Sequence, residues 1–356
     1  MSPPTTGIPA SATDAPPSWR ELLRVVRPWL GDGASAVLTP DGLPLEARRD
    51  VDSPVVAPCV VLEPWAPRAV PSAPVSGVRG FLDGIQRSRV VAHRDGVPLV
   101  VATVAAAIRQ RPARTLEAWE APLVARWLLL SRQALVGAGE GGARAWEALV
   151  ATGVPLRDTT DGVEPEAVPL HPRALQARAL ECVAQERERL ERRLAADWCR
   201  RPPGWLWVDG GIAGNLAIDA GAQAFGVVKS HATLYGGADD VRRLLALGEG
   251  ERSPLLLVGH RLRRAVASWY LRLRRPPAHD PLHALVRVEV APPAGVADPD
   301  GPTPEGLAAL QALAHRLSGW ILAERAPLAL PDPRWDTLTY GIHACERYLA
   351  ALVGPA

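Results

Sequence analysis

The sequence predicts an α/β or α+β fold in which a mixed sheet is flanked by helices and preceded by a proline-rich irregular arm. Three observations carry this reading. The apolar runs VRGFLDGIQ, SRVVAHRD and VPLVVATVAAAI surround an Asp95-Gly96 pair, and Asp-Gly between apolar runs is a strong hairpin cue. Text rich in Ala, Leu, Arg and Glu, with apolar residues recurring every three or four positions, follows as helix. Further strands and two closing helices complete an order that layers helices on a sheet.

Along the chain, residues 1–17 are rich in Pro, Ser and Thr and are expected to be a disordered tail. Residues 18–77 form an N-terminal arm: a short helix, WRELLRVVRPWL, then Pro-punctuated pieces such as VVAPCVVLEP that suit edge strands better than a core sheet. The core domain spans residues 78–356. It opens with consecutive antiparallel strands, and helices are expected over 115–149 and 173–198. A fourth strand, WLWVDGG at 205–211, leads through AFGVVKSHATLY to a helix near 239–247. In ASWYLRLRR, alternation puts Trp269, Leu271 and Leu273 on one face and Tyr270, Arg272 and Arg274 on the other. HALVRVEVA is the next strand, and helices over 305–324 and 337–353 close the chain. No repeat at solenoid periods is visible.

Composition narrows the function classes. At 356 residues and 47% apolar, the chain is long enough to bury a sizeable core, and its 36 Pro and 31 Gly imply long irregular connections. Forty basic residues against 38 acidic give a formal charge of +2, so any nucleic-acid surface must be local. Lys229 is the sole lysine among those 40 cations, which suggests a site that needs a compact ammonium instead of a guanidinium fork. Cys59, Cys182, Cys199 and Cys345 show no metal-type spacing and read as reduced core thiols. The N-terminus has no basic and apolar leader pattern, and runs such as Leu99 to Ile108 are too short to span a bilayer, so a cytoplasmic protein without membrane partners is expected.

Several residues could carry chemistry. Asp83 and Asp209 each end an apolar run and are each followed by glycine, as FLDG and LWVDG. A carboxylate fixed by a strand beside a small residue is well placed to hold a cation, although a single Asp-Gly is more often a plain turn. On the helix over 173–198, Glu186 and Glu191 flank the apolar stripe, whereas Glu181 and Glu188 point away. Spacing alone leaves Glu186 and Glu191 open. GVVKSH lacks the glycines of a phosphate loop, so Lys229 is a candidate for contact with a phosphate or with developing negative charge, with Ser230 and His231 beside it. Near the C-terminus Asp332, Asp336, His343 and Glu346 are acidic or imidazole candidates, and His343 and Glu346 share a helix face. Arg261, Arg263, Arg264, Arg272, Arg274 and Arg275 concentrate charge around one strand, a density that suits phosphate-backbone contacts.

These segments resemble the NurA-like nucleases, which partner a HerA-type hexameric ATPase in processing DNA ends. The resemblance is carried by FLDGIQ, LWVDGGIAGN, GVVKSHATLY, SWYLRLRR, LVRVEVA and ERAPLALPDPRWDTLTYGI, in that order, from about residue 78 to the C-terminus. It implies an RNase H-like sheet and hydrolysis of DNA phosphodiesters with manganese or magnesium, with two ions in the site. Position by position, it implies that Asp83, Glu191, Asp209 and Lys229 are catalytic, with Glu186 as the other candidate for the helix glutamate. Asp83, Glu191 and Asp209 are implied as metal ligands, with Glu346 or His343 at shifted spacing as the fourth; Lys229, His231, Arg272 and Arg274 are expected as DNA contacts from their charge and placement. Two departures stand out: Ile85 and Gly211 replace a serine that commonly follows Asp-Gly, and Tyr340-Gly341 replaces a Tyr-Pro. A homodimer docked on a ring-shaped ATPase follows from the resemblance, with the Pro-rich arm as the docking element. The alternatives are a catalytically silent nucleic-acid-binding or scaffold subunit of such a complex and an enzyme directed at RNA.

Overall fold

The computed structural model describes residues 19–26, 34–36, 43–44 and 54–353, apart from 114, 202, 220, 260–263, 278–279, 299 and 326–335. The expected tail at 1–17, along with Arg261, Arg263 and Asp332, lies outside the described residues.

The principal strands are β1 (Val78–Arg94), β2 (Val97–Gln110), β3 (Leu123–Leu130), β4 (Trp205–Asp209), β5 (Ala224–Val228), β6 (Val266–Arg272) and β7 (Leu285–Val290). They form one mixed sheet in the order β3-β2-β1-β4-β5-β7-β6. β1, β2 and β3 are antiparallel, β4 runs parallel to both β1 and β5, and β7 and β6 are antiparallel again. The principal helices are α1 (Pro172–Arg200), α2 (Pro304–Ala323) and α3 (Tyr340–Val353). The chain is therefore a mixed α/β protein with a large sheet flanked by helices, as the sequence predicts.

Local chemistry explains the frame. Asp95 and Gly96 both take positive φ, 50° and 78°, as a two-residue hairpin turn requires, and Gly does so without steric cost. α1 lays Val183, Leu190, Leu194 and Trp198 against Val104, Ala106, Leu206 and Val208 on one sheet face. The opposite face buries Phe81, Trp207, Phe225 and Trp269 under Leu310, Leu317 and Ile321 of α2 and Ile342 of α3. Small residues let α3 approach closely. Ala105 and Ala107 of β2 pack against Cys345 and Leu349, and a Cβ at Gly341 would collide with the Phe81 ring.

Three expectations need correction. The runs VRGFLDGIQ and SRVVAHRD are one continuous strand, β1, paired with β2 along nearly its whole length through an irregularity near Val91. Residues 123–130 are strand, not helix; LVARWLLL pairs with β2, and helix begins only at Arg132–Gly137 and Glu140–Ala151. A short apolar run has no period that separates strand from helix, and the free edge of β2 decides it.

The third correction is Arg272. Both faces of β6 are covered, so the alternation that puts Arg272 opposite Trp269 does not put it in water. Its side chain is fully buried, and its guanidinium donates to the carbonyls of Leu245, Leu247, Pro281 and His283. Arg272 is thus a structural clamp on two loops and cannot serve as a DNA contact. Arg272→Ala is expected to lower stability by roughly 3 kcal/mol or more, because several buried carbonyls lose their donor; a thermal melt reads this directly.

The N-terminal arm adds edge strands. Val55–Ala57 pairs with Thr233–Tyr235, Val60–Val61 with Leu256–Val258, and Arg68–Ala69 with Glu251–Arg252. Glu63 in this arm forms a buried ion pair with Arg252 at 2.8 Å. Among the described residues, no helix is long and apolar enough to cross a membrane.

Candidate metal centre

The register of the parallel pair β1 and β4 puts Leu82 beside Val208, so Asp83 and Asp209 follow as neighbours on one sheet face. β4 ends at Asp209 because Gly210 turns the chain away at φ 110°. β1 continues past that point, which makes a notch in the sheet with a carboxylate on each side. α3, pressed down on β1 and β2, supplies Glu346. One carboxylate oxygen from each of Asp83, Asp209 and Glu346 lies within 4.8 Å of the other two.

Among the described residues, a cation and a backbone dipole are seen to face this cluster. Lys229, directly after β5, places Nζ 2.8 Å from Asp209 Oδ1. The Gly84 backbone N–H donates to Asp83 Oδ1 at 2.8 Å. They do not offset burial and repulsion at Asp83. Burial, the Asp209 charge and then those of Glu346 and Glu191 push the Asp83 carboxyl up to about 8. Without a further cation, Asp83 holds a proton near neutral pH.

Glu191 reaches the notch from the other side of the sheet. α1 crosses β1 at Gly84, and a Cβ there would collide with the Glu191 carboxylate. The glycine after Asp83 therefore makes room for an acid, not only for a turn. Burial pushes Glu191 up to about 7, against the opposing pull of Arg187, with Glu188 and Asp209 adding to the rise. Glu186, the other candidate, is buried and engaged by Arg157 at 2.9 Å and by Arg189, so it is committed elsewhere. Gly84→Ala is expected to displace Glu191 and cut any metal-dependent activity by more than about tenfold, since small misplacements in a site are costly; comparing rates of the variant and wild type checks this.

The structure thus brings together Asp83, Asp209, Glu346 and Lys229, with Glu191 adjoining them. His343 sits one turn from Glu346, with Nδ1 3.7 Å from Glu346 Oε2, and lies outside the carboxylate trio. His231 is partly buried, and its ring Nε2 donates to the Leu285 carbonyl at 2.8 Å, which ties the loop after β5 to β7. Arg274 is partly buried near Arg325, Glu249 and Asp336, while Arg264 and Arg275 are exposed. Asp336 accepts from the Ala284 N–H at 2.9 Å and is a structural cap.

Sequence reasoning missed three supports. Glu289, buried in β7, accepts from the Ile212 N–H at 2.8 Å and pairs with Arg287, fixing the turn after Asp209. Arg187 grips Glu191, and Gln86 holds Arg187. Glu188, expected to point away, lines a cavity of about 190 Å³ together with Arg187, Glu191, Arg192 and Asp209. The i,i+4 spacing of Arg187 and Glu191 was the one readable signal among them.

An all-oxygen set of partly buried carboxylates is the donor chemistry of hard divalent cations such as magnesium and manganese. The resistance of Asp83 to ionising beside Asp209 and Glu346 fits such a group. No protein-family model matches the chain, and no match is found among curated proteins.

Proposed function

We propose that this protein is a divalent-metal-dependent deoxyribonuclease that hydrolyses phosphodiester bonds at DNA ends. The observation that carries the reading is the convergence of Asp83, Asp209 and Glu346, from positions far apart in sequence, on one spot. Mutually repelling, partly buried carboxylates are tolerable where cations neutralise them. The mixed sheet with acids on β1 and β4 is consistent with the RNase H-like fold that the resemblance implies.

In this reading Asp83, Asp209 and Glu346 hold manganese or magnesium, and Glu191 stands ready to complete the set. A bound ion pair would supply Lewis-acid stabilisation of phosphoryl oxygens and a more acidic water. Lys229 fixes the Asp209 carboxylate and presents its ammonium at the rim of the cluster, where it can donate to a phosphate oxygen that gains charge. Asp83 and its Gly84 N–H partner keep one ligand oxygen oriented.

The chain has no phosphate-loop motif, so coupling to a separate HerA-like ring ATPase, with the protein acting as a homodimer, belongs to the same proposal. The test is cleavage of linear DNA by purified protein with manganese, with magnesium and with excess chelator. Cleavage that depends on metal and stops with chelator is expected. A protein that binds DNA but never cuts it, with or without the ATPase, would instead be the silent scaffold subunit.

A further inference from the structure

Arg187 is not explained by the metal cluster alone. It lies one helical turn before Glu191 on α1, donates Nη1 to the Glu191 carboxylate, and donates Nε to Gln86 Oε1 of β1 at 3.2 Å. Its side chain also lines the cavity that touches Asp209 and contains Arg192. The Glu191 oxygen held by Arg187 is the one that overhangs Gly84, on the side of β1 next to the notch. Arg187 gives this oxygen one hydrogen bond, and a divalent cation taking the same oxygen would stand beside the guanidinium, positive charge against positive charge. A cation that draws Glu191 into the cluster therefore weakens the hold of Arg187, whose side chain already lines the cavity.

We propose that Arg187 has two positions: it holds Glu191 in the metal-free protein and takes a DNA phosphate in the adjoining cavity once Glu191 turns to a cation. The inference rests on the nuclease reading. A guanidinium matches a phosphate through two parallel hydrogen bonds, and the cavity shares its Asp209 wall with the carboxylate cluster, next to where a scissile bond would sit. The arrangement makes metal and DNA binding mutually favourable, because each frees a partner for the other, and linkage requires the effect to be reciprocal. Arg187 is a positioning residue toward Glu191 and a phosphate contact toward substrate.

The test compares wild type, Arg187→Ala, Arg187→Lys and Arg193→Ala; Arg193 is exposed on the same helix outside the cavity and controls for net charge. Manganese affinity is measured by calorimetry without DNA. Affinity for a short single-stranded DNA is measured by fluorescence anisotropy in calcium across a salt series. Arg187→Ala is expected to bind manganese at least about threefold more tightly, because a competing ion pair is gone. It is expected to bind DNA about tenfold more weakly, with the salt slope reduced by about 1. Arg187→Lys should keep the salt slope and lose part of the affinity, and Arg193→Ala should leave manganese affinity unchanged. A merely structural arginine would not tighten metal binding when removed. If Arg187→Ala binds manganese no better than wild type, or binds DNA as Arg193→Ala does, the inference is wrong while the nuclease reading stands. If wild type binds no manganese and cuts no DNA, the nuclease reading fails and takes the inference with it.

Discussion

Asp83→Asn is expected to abolish cleavage and, at the same time, to stabilise the metal-free protein. The first effect follows from removing a ligand charge from the trio of Asp83, Asp209 and Glu346. A loss of several kcal/mol of transition-state charge stabilisation corresponds to at least about a thousandfold in rate. The second effect has the opposite sign. Asp83 is held in a site where burial and the Asp209 charge disfavour its ionised form. The asparagine amide keeps the shape, and its Oδ1 can still accept from the Gly84 N–H, which now donates to Asp83 at 2.8 Å. Replacing an acid that must take up a proton to fold with a neutral amide should raise stability near pH 7.5 by on the order of 3 kcal/mol. For a chain of this size that is a rise in melting temperature of roughly 5 °C or more with chelator present. The pair of measurements is a rate on linear DNA and a melt in chelator. A variant that melts below wild type would show that the carboxylates are not in conflict, and the case for a cation between them would fall.

How much of this was legible in the sequence depends on which residue is asked about. The Asp95-Gly96 hairpin was legible because its backbone needs positive φ, which few residue pairs supply cheaply. Asp83 and Asp209 were legible as paired Asp-Gly signals, and the register of β1 with β4 brings them together as expected. The helix glutamate was not legible from spacing, since Glu186 and Glu191 both flank the apolar stripe. What separates them is the bare backbone at Gly84 on another element, a tertiary fact. Glu346 and His343 share a helix face, and the seating of α3 on Phe81 through Gly341 and on Ala107 through Cys345 brings Glu346 into the trio. Arg272 was misread because alternation reports which face a side chain takes, not whether loops cover that face. Lys229 stood out as the sole lysine, and its place beside Asp209 is one where a compact ammonium reaches a single oxygen.

Metal affinity and metal-free stability should move in opposite directions with pH. Burial and neighbouring carboxylates put Asp83 at about 8, and burial puts Glu191 at about 7, both above the ordinary values of 3.8 and 4.5. For an acid raised on folding, the native state binds the proton more tightly than the unfolded chain does. The stability contributed by these two protons is fully present below about pH 4, falls as pH rises, and is gone once pH passes about 7 for Glu191 and about 8 for Asp83. A divalent cation must displace the same protons. Its apparent affinity should therefore climb by up to about tenfold per pH unit for each proton released, and level off above about pH 8. Melting curves from pH 5 to pH 9, with chelator and with manganese, give both arms in one series. The chelator arm should decline toward alkaline pH relative to Asp83→Asn, whose Asp83 contribution is absent. The shift produced by manganese should grow from small at pH 5 to largest above pH 8, because ligand binding to the native state stabilises it in proportion to the logarithm of affinity. A manganese shift independent of pH would mean that protons and metal do not compete for these carboxylates, and that the cation, if bound, sits elsewhere.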